Sequence, residues 1–198
     1  MAITNGYCTL AELKSVMRIV DNVDDTMLEA RITEASRVID QHCDRRFYAD
    51  ANATARLYAP MTPETVFVDD ISTLTGLVIK TDTAGDGSYA TTLTATQYQL
   101  EPLNALAKGS PIRQILAIGT VFPTAAAPAG VQVTAKWGWP AVPEPVRSAC
   151  IILAGRLVKR GDSLLGVAGF GDLGAITVRT IDPDVQRMLQ PYRNPAVA

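Results

Sequence analysis

The start of the chain carries a pattern of apolar positions that is typical of a helix. Leu10, Leu13 and Met17 recur on one helical face. Thr9 and Glu12 stand at the spacing of a capping box, in which a hydroxyl and a carboxylate each accept a hydrogen bond from an unpaired backbone N–H group. The sequence therefore predicts a capped first helix that ends before a polar break at 22–25.

The second helical pattern is the strongest in the chain. Asp24 or Asp25 is predicted to cap it, because either carboxylate can accept from the N–H groups of the first turn. Residues 1–48 are thus predicted to hold two helices. The apolar positions of the second one recur every three to four residues and are Leu28, Ile32, Ala35, Ile39 and Cys43.

From residue 54 to residue 137 the pattern changes to short β-branched runs separated by turn residues, which predicts a β region. Asp86-Gly87 is typical of a hairpin turn, because glycine supplies the positive φ that tight connections need. The pair Asp69-Asp70 is predicted to lie in a turn at a strand end. The predicted strands are 54–58, 65–68, 74–80, 91–94, 98–100, 111–118 and 131–137.

Two tryptophans, Trp137 and Trp139, flank Gly138 where the last long strand joins the next helix. We expect a rigid aromatic hinge, buried between the β region and the helices. A platform on which a ligand stacks is the alternative.

A third helix is predicted from residue 143 or 144 to about 160, with a nearly all-apolar middle that indicates a central position in the fold. Gly161 is predicted to end it. A strand is predicted at 175–180, and Asp182-Pro183 then has the cap-and-proline signature of a short helix that ends at Pro191. The order is helices, β region, central helix and C-terminal elements.

Composition and charge narrow the class of protein. The chain has 198 residues, 47% of them hydrophobic, and 18 Lys+Arg against 20 Asp+Glu give a net charge of −2. This indicates one globular domain without the positive field of a non-specific nucleic-acid binder. No secretory signal is predicted, and the uncharged segment 114–135 contains prolines and glycines that argue against a membrane helix. The three cysteines, far apart in sequence and odd in number, indicate free thiols in a protein assembled inside a cell.

The search for catalytic or cofactor chemistry yields no candidate site. Residues 169–174 match GxGxxG, but they follow a helix and precede a β-branched run, which is the wrong context for a dinucleotide. His42 is the only histidine, and the neighbouring Cys43 and Asp44 point in other directions on the helix, so a metal site or a Ser-His-Asp site is not expected. We expect no enzyme activity and no cofactor; a small nucleotide-binding enzyme is the weaker alternative.

A DNA-binding helix-turn-helix is the other alternative for the first two helices. Acidic residues interleave with the basic ones there and cancel the net charge that phosphate contacts require, so a surface laced with salt bridges is favoured. The basic residues are Arg31, Arg37, Arg45 and Arg46, and the acidic ones are Glu29, Glu34, Asp40 and Asp44.

Four segments taken together resemble the head-to-tail connector (adaptor) proteins of long-tailed bacteriophages. Their order and spacing carry the likeness, and the middle β region is the variable part. The segments are YCTLAELKSVM at 7–17, DDTMLEARITEASRVIDQHCDRRFY at 24–48, VTAKWGWPAVPEPVRSACIILAGRLVKRGDS at 133–163 and GVAGFGDLGAITVRTIDPDVQRMLQPYR at 166–193.

The resemblance implies an α+β fold, in which an α-helical bundle carries a β region inserted between the second and third helices. It implies a single connector domain over 1–198, with N-terminal helices at 1–48, a β insertion at 54–137, a central helix at 143–160 and a C-terminal docking arm at 161–198. The implied function is structural: a ring, of portal symmetry and hence dodecameric, in the virion neck. That ring would lie below the portal protein, extend the DNA channel and receive a stopper or tail-completion protein.

The resemblance also implies no catalytic residues, no membrane, DNA only as passing cargo, and host cytoplasm as the place of assembly. We expect the docking arm to be ordered by partners, so that deletion beyond Asp162 leaves the subunit folded. The alternative is an arm that folds back on its own bundle. The residues expected to contact the portal or a neighbouring subunit are Leu164, Leu165, Gly166, Val167, Gly169, Phe170, Gly171, Leu173, Ile176, Val178, Pro183, Tyr192 and Arg193.

Overall fold

The computed structural model describes residues 2–124, 129–162 and 182–194, and within them it confirms the α+β class. The chain divides into two compact units. A helical unit comprises Met1–Arg45 with Val142–Ala198, and a β unit comprises Arg46–Ala141. Each unit has its own buried core.

The helical unit is built around one central helix. Its helices are α1 (Leu10–Met17), α2 (Asp25–Cys43), α3 (Glu144–Asp162) and α4 (Pro183–Leu189), and α4 continues into a 3₁₀ turn at Gln190–Tyr192. α3 packs against α1, α2 and α4, as its apolar middle predicts. The buried residues of these four helices include Leu13, Leu28, Ile32, Ile39, Val146, Leu153, Val185 and Leu189.

The helix ends confirm some of the predicted caps and correct others. Thr9 and Glu12 form the capping box: the Thr9 N–H donates to the Glu12 carboxylate at 2.7 Å, and the Glu12 N–H donates to the Thr9 hydroxyl at 3.2 Å. Asp24 occupies the N-cap position of α2, as one of the two predicted residues. Its side chain makes no capping hydrogen bond, so the prediction that a carboxylate caps this helix is wrong. Gly161 does not end α3, which continues to Asp162. One glycine weakens a helix by only about 1 kcal/mol, which packing of the preceding turns offsets.

The β unit contains two antiparallel sheets. Their strands are β1 (Thr54–Tyr58), β2 (Thr65–Ile71), β3 (Val78–Thr81), β4 (Thr91–Thr92), β5 (Tyr98–Glu101), β6 (Ile112–Ala117) and β7 (Val131–Ala135). One sheet has the order β1-β7-β3-β4 and the other β2-β6-β5. Register is fixed by pairs such as Tyr58 opposite Val131 and Leu100 opposite Ile115. Strands that are distant in the chain therefore pair, and periodicity alone does not specify such pairings.

Six of the seven predicted strands differ from the structure in where they begin or end, and the largest differences are in β2 and β3. β2 runs on to Ile71, so Asp69 and Asp70 lie inside a strand rather than in a turn. β3 begins at Val78, because the chain turns before it at Gly76, whose φ is +81°. β3 and β4 form a hairpin as predicted, but residues 82–90 connect them in place of a tight turn. In this loop Gly85 and Gly87 have positive φ, and the buried Asp82 carboxylate accepts hydrogen bonds from the N–H groups of Gly85, Asp86 and Gly87.

The uncharged segment 114–135 belongs to the β unit. It contains the end of β6 and the whole of β7, as predicted. Among the described residues, none of the helices combines the length and the apolar character needed to cross a bilayer.

Candidate assembly site

The predicted docking residues fall into two groups. Those from Leu164 to Val178, together with the GxGxxG segment 169–174 and the predicted strand 175–180, lie outside the described residues. Pro183, Tyr192 and Arg193 lie inside them: Pro183 and Arg193 are exposed, and Tyr192 is half-buried.

The short helix α4 is anchored to its own subunit. Val185 and Leu189 are 0% and 1% exposed, and α4 packs on α3. Asp182 caps α4 by accepting from the Asp184 N–H at 2.8 Å, and it also pairs with Arg156 of α3. Residues 182–194 therefore follow the fold-back alternative, and the expectation of a wholly partner-ordered arm is wrong for this part.

The last described residues complete the end of α2. The Asn194 N–H donates to the Cys43 carbonyl at 2.7 Å, and Arg45 donates to the Asn194 side-chain oxygen at 3.1 Å. This satisfies a carbonyl that a helix C-terminus leaves without an intrahelical partner. Burial, and then the positive charge of Arg193, lower the pKa of His42 beside this contact. The C-terminal residues thus hold the helical unit together while leaving Arg193 on its surface.

The α1–α2 loop presents an apolar surface that the sequence analysis missed. Val20 and Val23 are 95% and 86% exposed, and Val16 at the end of α1 is 66% exposed. Three exposed valines within eight residues of the chain make this segment a candidate contact surface. The signal in the sequence is two valines among the polar residues of a helix break.

Lys14 holds that loop in one conformation. Its ammonium group donates to the Asp21 carbonyl at 2.5 Å, to the Asn22 side-chain oxygen at 2.7 Å and to the Asp25 carboxylate at 2.7 Å. The Lys14 side chain is only 14% exposed. All three donors of the ammonium group are used, so the loop is ordered before any partner binds.

The two tryptophans are structural within the β unit. The Trp137 ring is fully buried, donates to the Thr54 carbonyl at 2.9 Å and lies under the guanidinium of Arg56 at 4.5 Å. Trp139 is 7% exposed, donates to Asp70 at 3.0 Å and packs on Phe47 with ring centroids 5.2 Å apart. Neither ring face is open, so the ligand-stacking alternative is wrong.

The carboxylates and arginines singled out in the sequence have structural partners. Asp69 accepts from Arg56 at 2.6 Å and from the Tyr58 hydroxyl at 2.8 Å. On α2, Arg31 pairs with Glu34 at 2.7 Å and Arg37 with Asp40 at 3.1 Å, as expected for a surface laced with salt bridges. Within the part of the chain that the structure describes, no three His, Cys, Asp or Glu side chains come together as metal ligands.

Comparison with solved structures gives full-length matches. A chain in the neck of an empty gene transfer agent (GTA) particle, determined with C6 symmetry, has a TM-score of 0.59 and 20% identity over 100% of this chain and 95% of its own length. The chain has the fold of GTA neck proteins. A chain in the neck of a native GTA particle, determined with C12 symmetry, gives a TM-score of 0.57 and 15% identity over 100% of this chain and 94% of its own.

A third match, from the virion of a native GTA particle, has a TM-score of 0.58 and 18% identity over 100% and 95% of the two chains. No protein-family model and no curated protein matches the sequence. The neck-protein fold confirms the resemblance to head-to-tail connectors at the level of the fold.

Proposed function

We propose that this protein is a structural component of the neck of a long-tailed phage or a phage-like particle. It forms a ring below the portal, extends the DNA channel and joins head to tail. The observation that carries the proposal is the full-length likeness to chains in GTA necks determined with C6 and C12 symmetry. In this role, the helical unit is the bundle of the connector, and the β unit is the insertion that the bundle carries.

The ring contains twelve copies, in register with the portal. Closed cyclic assemblies use one surface of each subunit against a different surface of the next. The valine surface formed by Val16, Val20 and Val23 is suited to one side of that contact, because it is apolar and already ordered by Lys14. We assign it to self-association.

Docking to the portal or to a neighbouring subunit is assigned to the arm. Its apolar residues Leu164, Leu165, Val167, Phe170 and Leu173 stand in a glycine-rich sequence, which is typical of a segment that binds in a neighbour's groove. Pro183, Tyr192 and Arg193 lie on the anchored part of the same arm.

The near-neutral charge suits a channel through which DNA passes. Each phosphate contact adds a salt-dependent increment of affinity, and such contacts would retard moving DNA. On α2, Arg31 and Arg37 pair with Glu34 and Asp40, which is consistent with weak binding of DNA phosphates. The purified chain should bind duplex DNA no more tightly than micromolar at about 150 mM salt, and no catalytic role is proposed.

Quantitative mass spectrometry of purified particles tests the proposal. Trypsin releases the peptide ITEASR, residues 32–37, which can be counted against an isotope-labelled standard and against a peptide of the portal. We expect about one copy per portal subunit, and C12 reconstruction of the neck should show the ring between portal and tail. Absence of the peptide from particles, or a copy number far from that of the portal, contradicts the proposal.

A further inference from the structure

Two buried cysteines meet in the helical unit although they lie far apart in the sequence. Cys8 precedes α1 and Cys150 lies in α3, and their sulfur atoms are 3.5 Å apart. The side chains are 5% and 0% exposed. The wide spacing of the cysteines in the sequence gives no sign of this contact.

The surroundings hold the two thiols facing each other. The Ser36 hydroxyl lies 3.4 Å from the Cys150 sulfur, donates to the Ile32 carbonyl and accepts from the Tyr7 N–H at 3.0 Å. The Tyr7 hydroxyl donates to the Asp40 carboxylate. The Tyr7 backbone next to Cys8 and the Cys150 sulfur are therefore both held by polar contacts to α2.

The two thiols differ in reactivity. The hydrogen bond with Cys8 and, less strongly, the one with Ser36 lower the pKa of Cys150 against the opposing effect of burial, whereas the contact with Cys150 and burial raise the pKa of Cys8. The third thiol, Cys43, is buried elsewhere in α2, and burial raises its pKa to about 11. We therefore assign the role of nucleophile to Cys150, and the buried Cys43 serves as the internal reference.

We propose that Cys8 and Cys150 form a reversible disulfide that ties the segment before α1 to the central helix α3 under oxidising conditions. A disulfide requires a sulfur–sulfur distance of about 2.05 Å, so the two sulfurs must approach by about 1.5 Å. Closing this gap requires rotation of the two side chains and a small shift of the helix. The crosslink is independent of the proposed neck function.

Glutathione disulfide is the oxidant class that completes the reaction. The Cys150 thiolate attacks one sulfur of glutathione disulfide, and one glutathione thiolate leaves and takes up a proton. Cys8 then loses its proton and attacks the Cys150 sulfur of the mixed disulfide, releasing the second glutathione. Two protein thiols are oxidised to one disulfide, and one glutathione disulfide is reduced to two thiols.

The crosslink should stabilise the helical unit. It joins residues separated by 142 positions, and closing a long loop reduces the conformational freedom of the unfolded chain. We expect the oxidised chain to melt about 5 to 15 °C above the reduced chain. Dithiothreitol should reverse the shift.

Peptide mapping of the full-length chain tests the proposal. The chain is incubated with glutathione disulfide and unfolded in guanidinium chloride, where its remaining free thiols are blocked with N-ethylmaleimide, and it is then digested with trypsin. Cys8, Cys150 and Cys43 fall in different tryptic peptides, 1–14, 148–156 and 38–45. We expect peptides 1–14 and 148–156 to be joined, and peptide 38–45 to carry the maleimide.

A second experiment tests disulfide formation while the two thiols are not yet buried. The reduced, unfolded chain is refolded in a glutathione redox buffer, where both thiols are accessible before the core closes. Cys43→Ser should leave the crosslink and the melting shift intact, whereas Cys8→Ser and Cys150→Ser should each abolish both. Refolded chain without the 1–14 to 148–156 linkage, a linkage that instead uses Cys43, or a crosslinked chain with unchanged melting temperature overturns the proposal.

Discussion

The backbone around position 138 in the β unit leaves room for glycine alone. The φ of Gly138 is +110°, and its N–H donates to the Asp70 carbonyl at 2.7 Å. A Cβ at this position would lie 1.8 Å from the Tyr48 carbonyl oxygen. Only glycine fits between these two backbone segments.

We therefore predict that Gly138→Ala lowers the free energy of unfolding of the β unit by about 3 kcal/mol or more, because a backbone clash adds to the strained φ. Gly119→Ala is the matched control: its φ is +64° and nothing lies within 4 Å, so only the backbone strain of about 1 to 2 kcal/mol remains. The chain's two tryptophans both lie in the β unit, so urea unfolding followed by fluorescence reports on it. Equal losses for the two variants would contradict the clash.

Glu12 gives the helical unit a predicted pH dependence. Hydrogen bonds from the Thr9 backbone and hydroxyl, and the charge of Arg147, lower its pKa from the ordinary 4.5. A carboxyl whose folded pKa is depressed stabilises the protein above its unfolded pKa, and that contribution is lost as the pH falls through the folded pKa.

The variant Glu12→Gln keeps a capping acceptor and removes the charge. We expect it to be less stable than the parent at pH 7, with the difference shrinking as the pH falls below both pKa values. Urea unfolding followed by far-ultraviolet circular dichroism measures it. A difference that grows with falling pH would show that the charge does not stabilise the folded state.

Periodicity predicted the long helices better than the ends of the elements. α2 and α3 fill the ranges expected from their apolar positions, because burial on one face requires that spacing. The Asp24 side chain and Gly161 behave otherwise, since caps depend on local geometry that neighbours alter. The extension of β2 through Asp69 and Asp70 was missed because the acidic side chains find Arg56 and Trp139, partners that only the tertiary fold supplies.

The contact between α2 and α3 carries a stability prediction. Ile39 is 0% exposed and Leu153 is 6% exposed. Truncating either to alanine removes apolar contacts and leaves a cavity, so each should lower the free energy of unfolding by about 2 to 5 kcal/mol. Gln41→Ala, at an exposed position of α2, should change it by less than about 0.5 kcal/mol. A loss below that limit for Ile39→Ala or Leu153→Ala, measured by circular dichroism in urea, would remove that residue from the core.

At the scale of the whole molecule, the candidate site was only partly predictable. The contact between the two cysteines and the anchoring of α4 depend on residues distant in the sequence, whereas the exposed valines of the α1–α2 loop carry a local signal that the sequence analysis missed. No spacing rule indicates that Cys8 faces Cys150 or that Asn194 binds the Cys43 carbonyl. The connector resemblance, in contrast, rested on four ordered segments spread over the chain, and the fold agrees with it.

The anchoring of α4 separates two roles within the arm. Truncation after Asp162 removes Val185 and Leu189 from the core together with the ion pair between Arg156 and Asp182. We therefore expect the truncated chain to lose stability as well as assembly. A truncation by itself does not distinguish docking from folding.

Replacing 163–181 by a Gly/Ser linker of the same length makes that distinction, because such a linker spans the gap without specific contacts and leaves α4 in the chain. We predict that circular dichroism and the melting temperature stay close to those of the parent, while filled heads fail to gain the connector and remain tailless. Truncation after Asp162 is the comparison, with a lower melting temperature and the same assembly defect. Linker-replaced chains that still complete infectious particles would show that the apolar residues between Leu164 and Leu173 do not dock the portal.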